Sequence, residues 1–402
     1  MKIISVVGAR PNFMKIAPFC KALAAYPEIK HVLVHTGQHY DVRMSDSFFT
    51  DLEIPEPDIH LNIGSGSHAE QVGRTMIEFE KVIKAEQPDW IVVVGDVNAT
   101  CACSIAAKKE HIRLAHIEAG LRSGDIDMPE EVNRLVTDRL ADLLLTPDRI
   151  SCANLKSEGI SDERIAFVGN IMIDTLEAQY AKAASRSVAE IVGRELLESC
   201  ELPELSDNNF AVMTMHRPSN VDQIKTLNSL VDFLTDEVAE DMPLLWPIHP
   251  RTRKQLETFG LWEKARANII LLNPLGYHDM LRLNMGAKVM LTDSGGLQEE
   301  CCVLGTPCLT MRRNTERPVT LKEHGGASQL VGNNVEKIRD AYREILNSQR
   351  NPWRPELWDG HTAERIVKKI SEYGEKNEKG IGHRRKRISG ELALREVVGT
   401  GA

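Results

Sequence analysis

The sequence lacks the motifs that mark two common classes of nucleotide-dependent enzyme. None of its predicted strand-to-helix turns carries the GxGxxG pattern of dinucleotide-binding folds, and no Walker sequence is present. The glycines of the first pattern allow a backbone to approach a pyrophosphate, and the Walker lysine contacts nucleotide phosphates. Their absence argues against a nicotinamide mechanism and against ATP hydrolysis.

Long hydrophobic runs are also missing. No apolar stretch reaches the roughly 20 residues that a membrane-spanning helix needs, and the N-terminal MKIISVVGAR is typical of a short strand and turn rather than a signal peptide. The net charge of −9 gives no overall attraction for nucleic acid or for an acidic membrane. We therefore expect a cytoplasmic protein without either partner, in which a local basic cluster meets any anionic ligand.

The eight cysteines show no metal-binding spacing. Cys101 and Cys103 form a CxC pair and Cys301 and Cys302 are adjacent, so neither pair forms a CxxC motif. The remaining cysteines lie among apolar neighbours. We expect reduced, mostly buried thiols, with no zinc site, no metal of any kind and no disulfide.

The first half of the chain alternates short apolar strands with helical segments. The predicted strands are Ile3–Val7, Val32–Thr36, Trp90–Val94, Leu114–Ile117, Leu143–Leu145 and Ile165–Val168. Strands that are apolar on both faces and alternate with helices indicate a doubly wound parallel sheet. Strand character is then lost over residues 171–209, where a helix is predicted at Ala178–Ser199.

The alternation resumes in the second half. Its predicted strands are Ala211–Met215, Leu244–Ile248, Asn268–Leu272, Lys288–Leu291, Pro307–Met311 and Gln329–Val331. The fold class is therefore α/β, with two Rossmann-like domains facing one cleft. We expect a first domain at 1–170, completed by a terminal helix at Pro355–Tyr373, and a second at 171–354. Residues 374–402 are expected to form a basic, flexible tail.

One strand-to-helix turn has the features of a phosphate site. The strand ending at Leu291 is followed by Ser294, Gly295 and Gly296, and then by a helical segment that contains Glu300. A helix that starts after glycines exposes free N–H groups and a positive dipole end, which favour an anion. Glu300, one turn further along, would reach hydroxyls such as those of a ribose. An ordinary turn capped by Ser294 is the simpler interpretation.

Polar residues follow many of the predicted strands. Ligands of open parallel sheets bind beyond the carboxyl ends of the strands. Here those ends carry Arg10, Gln38, Asp96, Glu118, His216, His249 and Ser294. Each has a simple structural explanation, since Asp96 could cap a helix, Glu118 could pair with Arg122 and His249 could be a core histidine. Seven such residues at one edge nevertheless indicate an active-site cleft.

The predicted turns of the first half carry charges of opposite sign. Arg10 and Lys15 bring two cations to the first turn, which suits an anion. The carboxylates Asp96 and Glu118 and the adjacent pair Glu130-Glu131 all fall in the first half. Paired carboxylates across a cleft can exchange protons with a substrate when burial separates their pKa values. Arg134 lies four residues after Glu130 and could simply pair with it.

At this point eight motifs, in order, match a known family. They are GARPNFMK (8–15), TGQHYD (36–41), GDVNAT (95–100), HIEAGLRSGD (116–125), PEEVNR (129–134), MHRPSN (215–220), DSGGLQEE (293–300) and TERPVT (315–320). From residue 1 to about Tyr373 the chain resembles the non-hydrolysing UDP-N-acetylglucosamine 2-epimerases, which have the two-domain GT-B fold.

The resemblance implies reversible conversion of UDP-N-acetylglucosamine to UDP-N-acetylmannosamine. UDP is eliminated as the C2 proton is removed, and it adds back to the bound glycal while a proton arrives on the opposite face of C2. No metal or redox cofactor takes part, and a homodimer is expected. The alternatives are a 2-epimerase of another UDP-2-acetamido sugar, such as a diacetamido uronic acid, a GT-B glycosyltransferase, and a non-enzymatic sugar-nucleotide sensor.

The resemblance also implies roles for individual residues. Asp96, Glu118 and Glu130 would form the acid/base set, and His216 would act near the leaving diphosphate. The implied binding residues are Arg10 and Lys15 for the pyrophosphate and sugar, Ser294, Gly295 and Gly296 for phosphate, Glu300 for the ribose, and Arg134 and Arg317 as supporting cations. A second, activating UDP-sugar site would include Gln38, His39 and Arg74.

The chain departs from the family pattern at two positions. Many members have Glu where this chain has Asn12 and Ser219. Because Ser219 follows the His216-Arg217 pair closely, the second departure bears on the diphosphate pocket and on which UDP-sugar is the substrate.

Overall fold

The computed structural model describes residues 1–37, 51–198 and 201–373. Its first sheet has seven parallel strands in the order β3-β2-β1-β4-β5-β6-β7. They are β1 (Lys2–Val7), β2 (Lys30–His35), β3 (Ile59–His60), β4 (Trp90–Val94), β5 (Arg113–Ile117), β6 (Leu143–Thr146) and β7 (Ile165–Phe167).

The second sheet has six parallel strands in the order β10-β9-β8-β11-β12-β13. They are β8 (Ala211–Thr214), β9 (Leu244–Pro247), β10 (Ile270–Leu272), β11 (Val289–Thr292), β12 (Cys308–Thr310) and β13 (Ser328–Leu330). In both sheets the strand order reverses direction beside a central strand, β1 or β8. Ligands bind at such reversals in open parallel sheets.

Helices cover both faces of each sheet. In the first half they are α1 (Arg10–Leu23), α2 (His68–Glu86), α3 (Asn98–Lys109), α4 (Pro129–Leu140) and α5 (Arg149–Ser157). Then follow α6 (Ile171–Ala184), α7 (Val188–Glu195), α8 (Pro218–Val221), α9 (Ile224–Phe233), α10 (Ala239–Asp241), α11 (Pro250–Thr258), α12 (Trp262–Asn268), α13 (Tyr277–Gly286), α14 (Gly295–Leu304) and α15 (Val335–Leu346). A π-helical turn at Leu234–Val238 joins α9 to α10, three 3-10 turns lie at Asp162–Arg164, Pro318–Thr320 and Lys322–His324, and residues 362–373 are helical.

The strands form where apolar residues face both layers of helices. Every residue of β4 is buried. Trp90 and Val92 pack with Phe19 of α1 on one face of the sheet, while Ile91 packs with Phe79 of α2 on the other. Burial on both faces explains why the central strands are continuous apolar runs rather than alternating ones.

The fold class is confirmed, and most predicted strands agree with the structure to within one or two residues. The strand β3 was not predicted, because two residues are too few to show a period. The predicted helix at Ala178–Ser199 is wrong. The structure has two helices, α6 and α7, and Ser187 starts the second by accepting a hydrogen bond from the backbone N–H of Glu190.

The predicted terminal helix at Pro355–Tyr373 is too long, because helical structure begins only at residue 362. Gly360 has a φ of +81°, a left-handed conformation that interrupts a helix. The helix starts where Asp174 of α6 accepts hydrogen bonds from the N–H groups of Thr362 and Ala363, at 3.0 and 2.7 Å. This cap comes from a distant part of the chain, so local sequence could not indicate it.

The terminal segment packs against the first sheet. Ile366, Val367 and Ile370 belong to the same core as Ile3 and Trp90. This packing agrees with the division of the chain at residues 170 and 354, which stays a prediction, and the proposed tail at 374–402 lies outside the described residues.

Two further expectations concern single features. The cysteines that the structure describes are free thiols, and all but the half-buried Cys152 are buried, as expected. Across residues 1–37, 51–198 and 201–373, no helix is both long and apolar enough to cross a membrane.

Candidate active site

The carboxyl ends of both sheets open onto one cleft of about 1470 Å³. The first sheet and its helices contribute polar lining residues that include Asp96, Asn98, Glu130 and Asn133. The opposite wall, formed by the second sheet, includes His216, Arg217, Ser294, Gly296 and Glu300. The sequence prediction of one cleft between two strand edges is therefore confirmed.

Glu118 lies directly after β5 in an unusual backbone conformation. Its φ is +70°, which costs energy for a residue with a side chain and is often found at functional sites. The Oε2 atom of Glu118 forms a buried ion pair with Nζ of Lys15 from α1. Gly95 leaves room for this pair, because a Cβ there would lie 3.2 Å from Nζ. The alternative partner that the sequence allowed, Arg122, instead pairs with Asp138 and Glu158.

Asp96 is held by the buried Arg134 of α4. One guanidinium nitrogen of Arg134 donates to Oδ2 of Asp96, and two others donate to Oε2 of Glu131 at 2.8 and 2.6 Å. Burial raises the pKa of Glu131, but the N–H of Ser123 and the guanidinium of Arg134 outweigh it and hold that pKa below its usual value. The simpler interpretation, in which Arg134 pairs with Glu130, is therefore wrong, and Glu130 lines the cleft instead.

Arg317 brings a buried charge cluster from the second half of the chain to the first. It follows β12, only 5 % of its surface is exposed, and it forms ion pairs with Glu316 and Glu299. Its guanidinium nitrogen Nη2 lies 4.0 Å from Oε1 of Glu118. Arg312 in turn donates to Glu316 at 2.6 Å. The cation that the sequence placed only as a supporting residue therefore lies beside the buried Glu118–Lys15 pair.

The turn between β11 and α14 has the geometry that the sequence indicated. Ser294 is the N-cap residue of α14, but its hydroxyl makes no capping hydrogen bond, so the simpler interpretation of a side-chain cap is wrong. A Cβ on Gly295 would lie 2.6 Å from side-chain atoms of Arg317 and Glu316, so any larger residue would displace this buried ion pair. Gly296 lines the cleft, and a Cβ added there would lie 3.9 Å from the side chain of Met172. The turn therefore offers a helix N-terminus to an anion.

His216 is oriented by a buried carboxylate. Its Nδ1 lies 2.9 Å from Oδ1 of Asp293. The Oδ2 atom of the same carboxylate accepts hydrogen bonds from the backbone N–H groups of His216 and Arg217. Burial raises the pKa of Asp293, but these contacts outweigh it and lower that pKa. The ring of His249 lies 5.4 Å from that of His216 and is exposed, so it is not a core histidine.

Several predicted residues lie elsewhere or cannot be placed. Arg10 is the first residue of α1. Gln38 and His39 lie outside the described residues. Arg74 is exposed on α2 and pairs with Glu70 at 3.5 Å, whereas other residues of that helix line the cleft.

Glu300 is buried and lines the cleft near Tyr277, whose pKa is raised by burial and by the Glu300 charge.

Sequence reasoning did not show which residues hold the predicted ones, although it counted Glu131 among the candidate acids. Glu131, Glu299 and Asp293 are buried carboxylates that contact Arg134, Arg317 and His216, respectively. All three lie inside the quoted motifs, immediately beside predicted site residues. Adjacent acids in a motif were thus the available signal, but only three-dimensional contacts show which acid faces the cleft.

Asn12 explains one departure from the family pattern. Its Oδ1 accepts the N–H groups of Gly8 and Ala9 at 3.0 and 3.1 Å, and its Nδ2 donates to the carbonyl of Val94 at 2.9 Å. The amide therefore ties the first turn to β4, a combination of accepting and donating that a carboxylate cannot make. Ser219, the other departure, is exposed at the cleft.

The described part of the chain contains no group of three or more His, Cys, Asp or Glu residues that could hold a metal ion.

Two Rossmann-like domains that meet at one cleft define the GT-B class of fold. A family model described as UDP-N-acetylglucosamine 2-epimerase matches residues 21–371. The UDP-N-acetylglucosamine 2-epimerase of Methanocaldococcus jannaschii is 41% identical over 378 residues, which are 93% of this chain and 100% of that protein. The chain therefore belongs to the UDP-N-acetylglucosamine 2-epimerase family.

Two further similarities bear on the substrate. The UDP-2,3-diacetamido-2,3-dideoxy-D-glucuronate 2-epimerase of Pseudomonas aeruginosa is 38% identical over 350 residues, covering 86% of this chain and 92% of that protein. A crystal structure of the M. jannaschii enzyme in complex with UDP-GlcNAc and UDP matches with a TM-score of 0.83 and 39% identity, covering 92% of this chain and 99% of that one.

Proposed function

We propose that this protein catalyses the reversible epimerisation of UDP-N-acetylglucosamine at C2, with UDP-N-acetylmannosamine as the product. The observation that carries the proposal is the meeting of two kinds of site in one cleft. Asp96, paired with the buried Arg134, lines the cleft, and Glu118, paired with the buried Lys15, is itself buried at the same edge of the first sheet. The helix N-terminus at Gly295–Gly296, suited to a diphosphate, lies at the edge of the second.

The reaction proceeds by elimination and re-addition of UDP. One carboxylate of the set Asp96, Glu118 and Glu130 removes the C2 proton while the bond from C1 to the UDP oxygen breaks. The resulting 2-acetamidoglucal stays bound, and a proton returns to the opposite face of C2 as UDP adds back to C1. Acid/base groups on two faces of the sugar are what this inversion requires.

The second sheet binds the leaving group. Ser294, Gly295 and Gly296 contact phosphate through the helix N-terminus, and Glu300 accepts hydrogen bonds from ribose hydroxyls. His216, held by Asp293, donates to the diphosphate as negative charge develops on it. Arg10 and Lys15 add positive charge to the pyrophosphate and sugar side, with Arg134 and Arg317 as supporting cations.

Proton NMR of the protein with UDP-N-acetylglucosamine alone in D2O tests the proposal. We expect the manno epimer to appear with deuterium at C2, because the removed proton exchanges with solvent. Free N-acetylmannosamine with UDP would indicate hydrolysis instead, and turnover that requires an added acceptor would indicate a glycosyltransferase. Either result would overturn the proposal.

A UDP-2-acetamido sugar with a different C3 or C6 group is the second candidate substrate. The similarity to the P. aeruginosa diacetamidoglucuronate epimerase favours it, as does Ser219 at the cleft. Comparing initial rates with the two UDP-sugars at equal concentration decides between them. A higher kcat/KM for the uronic acid would replace the first candidate.

Further expectations from the sequence and from the family resemblance complete the proposal. The protein is cytoplasmic and forms a homodimer, and sedimentation at equilibrium would test the dimer. A second UDP-sugar site includes Gln38, His39 and Arg74, so Arg74→Ala would remove any activation by substrate while leaving UDP affinity unchanged. Deletion of the basic tail at 374–402 would leave the reaction intact.

A further inference from the structure

A buried carboxylate that the proposed mechanism does not use lies between the two halves of the site. Glu299 of α14 is only 1 % exposed. Its Oε1 accepts a hydrogen bond from Nδ2 of Asn170 at 2.8 Å and lies 2.9 Å from Nε of Arg317. Asn170 caps α6 at the junction between the predicted domains. Glu299 therefore connects that junction to the guanidinium beside Glu118.

Arg317 lies at different distances from the three carboxylates around it. It forms ion pairs with Glu299 and Glu316, whereas its distance to Oε1 of Glu118 is 4.0 Å, which is beyond hydrogen-bonding range. The Oε1 atom of Glu118 is buried and has no hydrogen-bond partner within the described residues, while Oε2 is occupied by Lys15. One oxygen of Glu118 is thus left open.

We propose that Glu299 is a positioning residue that holds Arg317 close to Glu118 without letting it bond to the open oxygen. This inference rests on the proposed function, in which Glu118 exchanges a proton with the sugar. An Arg317 that bonded to Oε1 would occupy the lone pair needed for that exchange. Loss of the Glu299 charge releases Arg317 toward Glu118 and slows proton transfer.

The charges around Glu299 make this contact sensitive to pH. The pKa of Glu299 is raised to about 7, because burial and the charge of Glu118 together outweigh the opposite effects of Arg317 and Lys15. On its own helix, the neighbouring Cys302 thiol is itself buried, with a raised pKa. Glu299 is ionised above its pKa, so kcat should increase as the pH rises through neutrality and Arg317 is drawn away from Glu118.

The test measures deuterium incorporation at C2 of UDP-N-acetylglucosamine as a function of pH in wild type, Glu299→Gln and Asn170→Ser. We expect kcat in Glu299→Gln to fall at least about 10-fold above pH 8 and to lose its inflection near neutrality, with KM changed less than about 2-fold. Glutamine keeps an oxygen for Asn170 and removes only the charge.

Asn170→Ser provides the independent variant. Serine can still cap α6 but does not reach Glu299, so the charged form of Glu299 loses a donor. We expect the inflection to remain and to move to higher pH. Glu237→Gln, which removes a partly buried carboxylate paired with Arg339 elsewhere in the second half, is the matched control and should keep the wild-type profile.

The failures of the inference and of the proposed function are distinguishable. No exchange in wild type at any pH would contradict the function itself. Exchange in wild type with an unchanged inflection in both variants, or an equal rise in KM and fall in kcat in Glu299→Gln, would overturn the role of Glu299 alone. If Glu299→Gln does not fold, the direction of the shift in Asn170→Ser decides.

Discussion

On the first-sheet side of the cleft, Asp96 and Glu118 are each paired with a buried cation, whereas the second-sheet side presents the half-exposed imidazole of His216 and a helix N-terminus. Lys15 and Glu118 are 7% and 2% exposed and bonded to each other. Across the cleft, the His216 side chain is 42% exposed, and a Cβ on Gly296 would lie no closer than 3.9 Å to Met172. The first side is thus preorganised to transfer protons, and the second side is suited to bind an anion.

The same contrast appears in two His–Asp pairs, one buried and one at the cleft. His116 and Asp138 lie 2.6 Å apart and are fully enclosed, with the second imidazole nitrogen 2.8 Å from the carbonyl of Gly95. His216 and Asp293 lie 2.9 Å apart, but this imidazole faces the cleft. An identical pair of residue types therefore stabilises the fold in one domain and presents a donor in the other.

The largest effect is expected at the first side. Asp96→Asn should lower kcat at least about 100-fold, because a general acid or base typically contributes that much. UDP affinity should change less than about 2-fold, since the phosphate turn lies across the cleft. Initial rates and calorimetric titration with UDP measure the two quantities. Asp162→Asn, at an exposed pair with Lys156, is the control, and near-normal turnover in Asp96→Asn would show that the acid/base set is wrong.

The two His–Asp pairs should respond differently to loss of the carboxylate. Asp138→Asn should cost about 3 kcal/mol of unfolding free energy, because Arg122 and the enclosed His116 lose a charged partner. UDP affinity should be unchanged. Asp293→Asn should weaken UDP binding about 10-fold by releasing His216. Denaturant unfolding and UDP titration on both variants test this, and a loss of UDP affinity in Asp138→Asn would contradict the division.

Acid should destabilise the enclosed pair in a defined pH window. Burial raises the pKa of Asp138, but His116 and Arg122 outweigh it and lower that pKa. A carboxyl whose pKa is lowered by folding stabilises the protein fully at any pH above its pKa in the unfolded state, about 3.9. This contribution is lost as the pH falls through the lower, folded-state pKa. Thermal unfolding of Asp138→Asn should therefore depend less on pH below about 4 than that of wild type. Parallel curves would contradict the expected contribution.

The adjacent glycines of the phosphate turn give a matched pair of smaller effects. Gly295→Ala should cost about 1–3 kcal/mol of stability, because its methyl group would displace Arg317 and Glu316. Gly296→Ala should change stability by less than about 1 kcal/mol but weaken UDP binding, since its methyl group would lie at the cleft wall, in ordinary contact with Met172 at 3.9 Å. Equal stability losses in the two variants would show that the turn is not packed as described.

The smallest effect is expected at Asn12. Asn12→Asp keeps the acceptor for Gly8 and Ala9 but removes the donor to the carbonyl of Val94. The carbonyl keeps its hydrogen bond from the Thr100 hydroxyl at 3.0 Å but would face a carboxylate oxygen in place of the amide donor, which should cost about 1–2 kcal/mol in denaturant unfolding. An unchanged stability would mean that this hydrogen bond does not hold the first turn.

The sequence was sufficient for the parts of the fold that depend on local pattern. Strands buried on both faces are continuous apolar runs, and the turns after them carry the site residues, so both sheets and the cleft could be predicted. The late start of the terminal helix could not be predicted, because it depends on Asp174, nearly 190 residues away in the chain. The break after α6 does have a local signal, the Ser187 cap of α7, which the prediction overlooked.

The site shows the same limit. Motifs located Glu118, Asp96 and Arg317, but the spacing of Arg134 suggested Glu130 as its partner, and the structure pairs it with Glu131 and Asp96. Contacts between charged groups from distant segments depend on packing, which one sequence does not encode in any local pattern. Glu299 is the clearest case, since its partners come from Asn170 and Arg317.

The most direct test of the account supplies the intermediate itself. Protein incubated in D2O with 2-acetamidoglucal and UDP should form both UDP-N-acetylglucosamine and UDP-N-acetylmannosamine, each with deuterium at C2, because the first side of the cleft delivers the proton and the second holds UDP. Formation of no UDP-sugar, or of products that retain only protium at C2, would contradict proton chemistry at C2 as the function of this cleft.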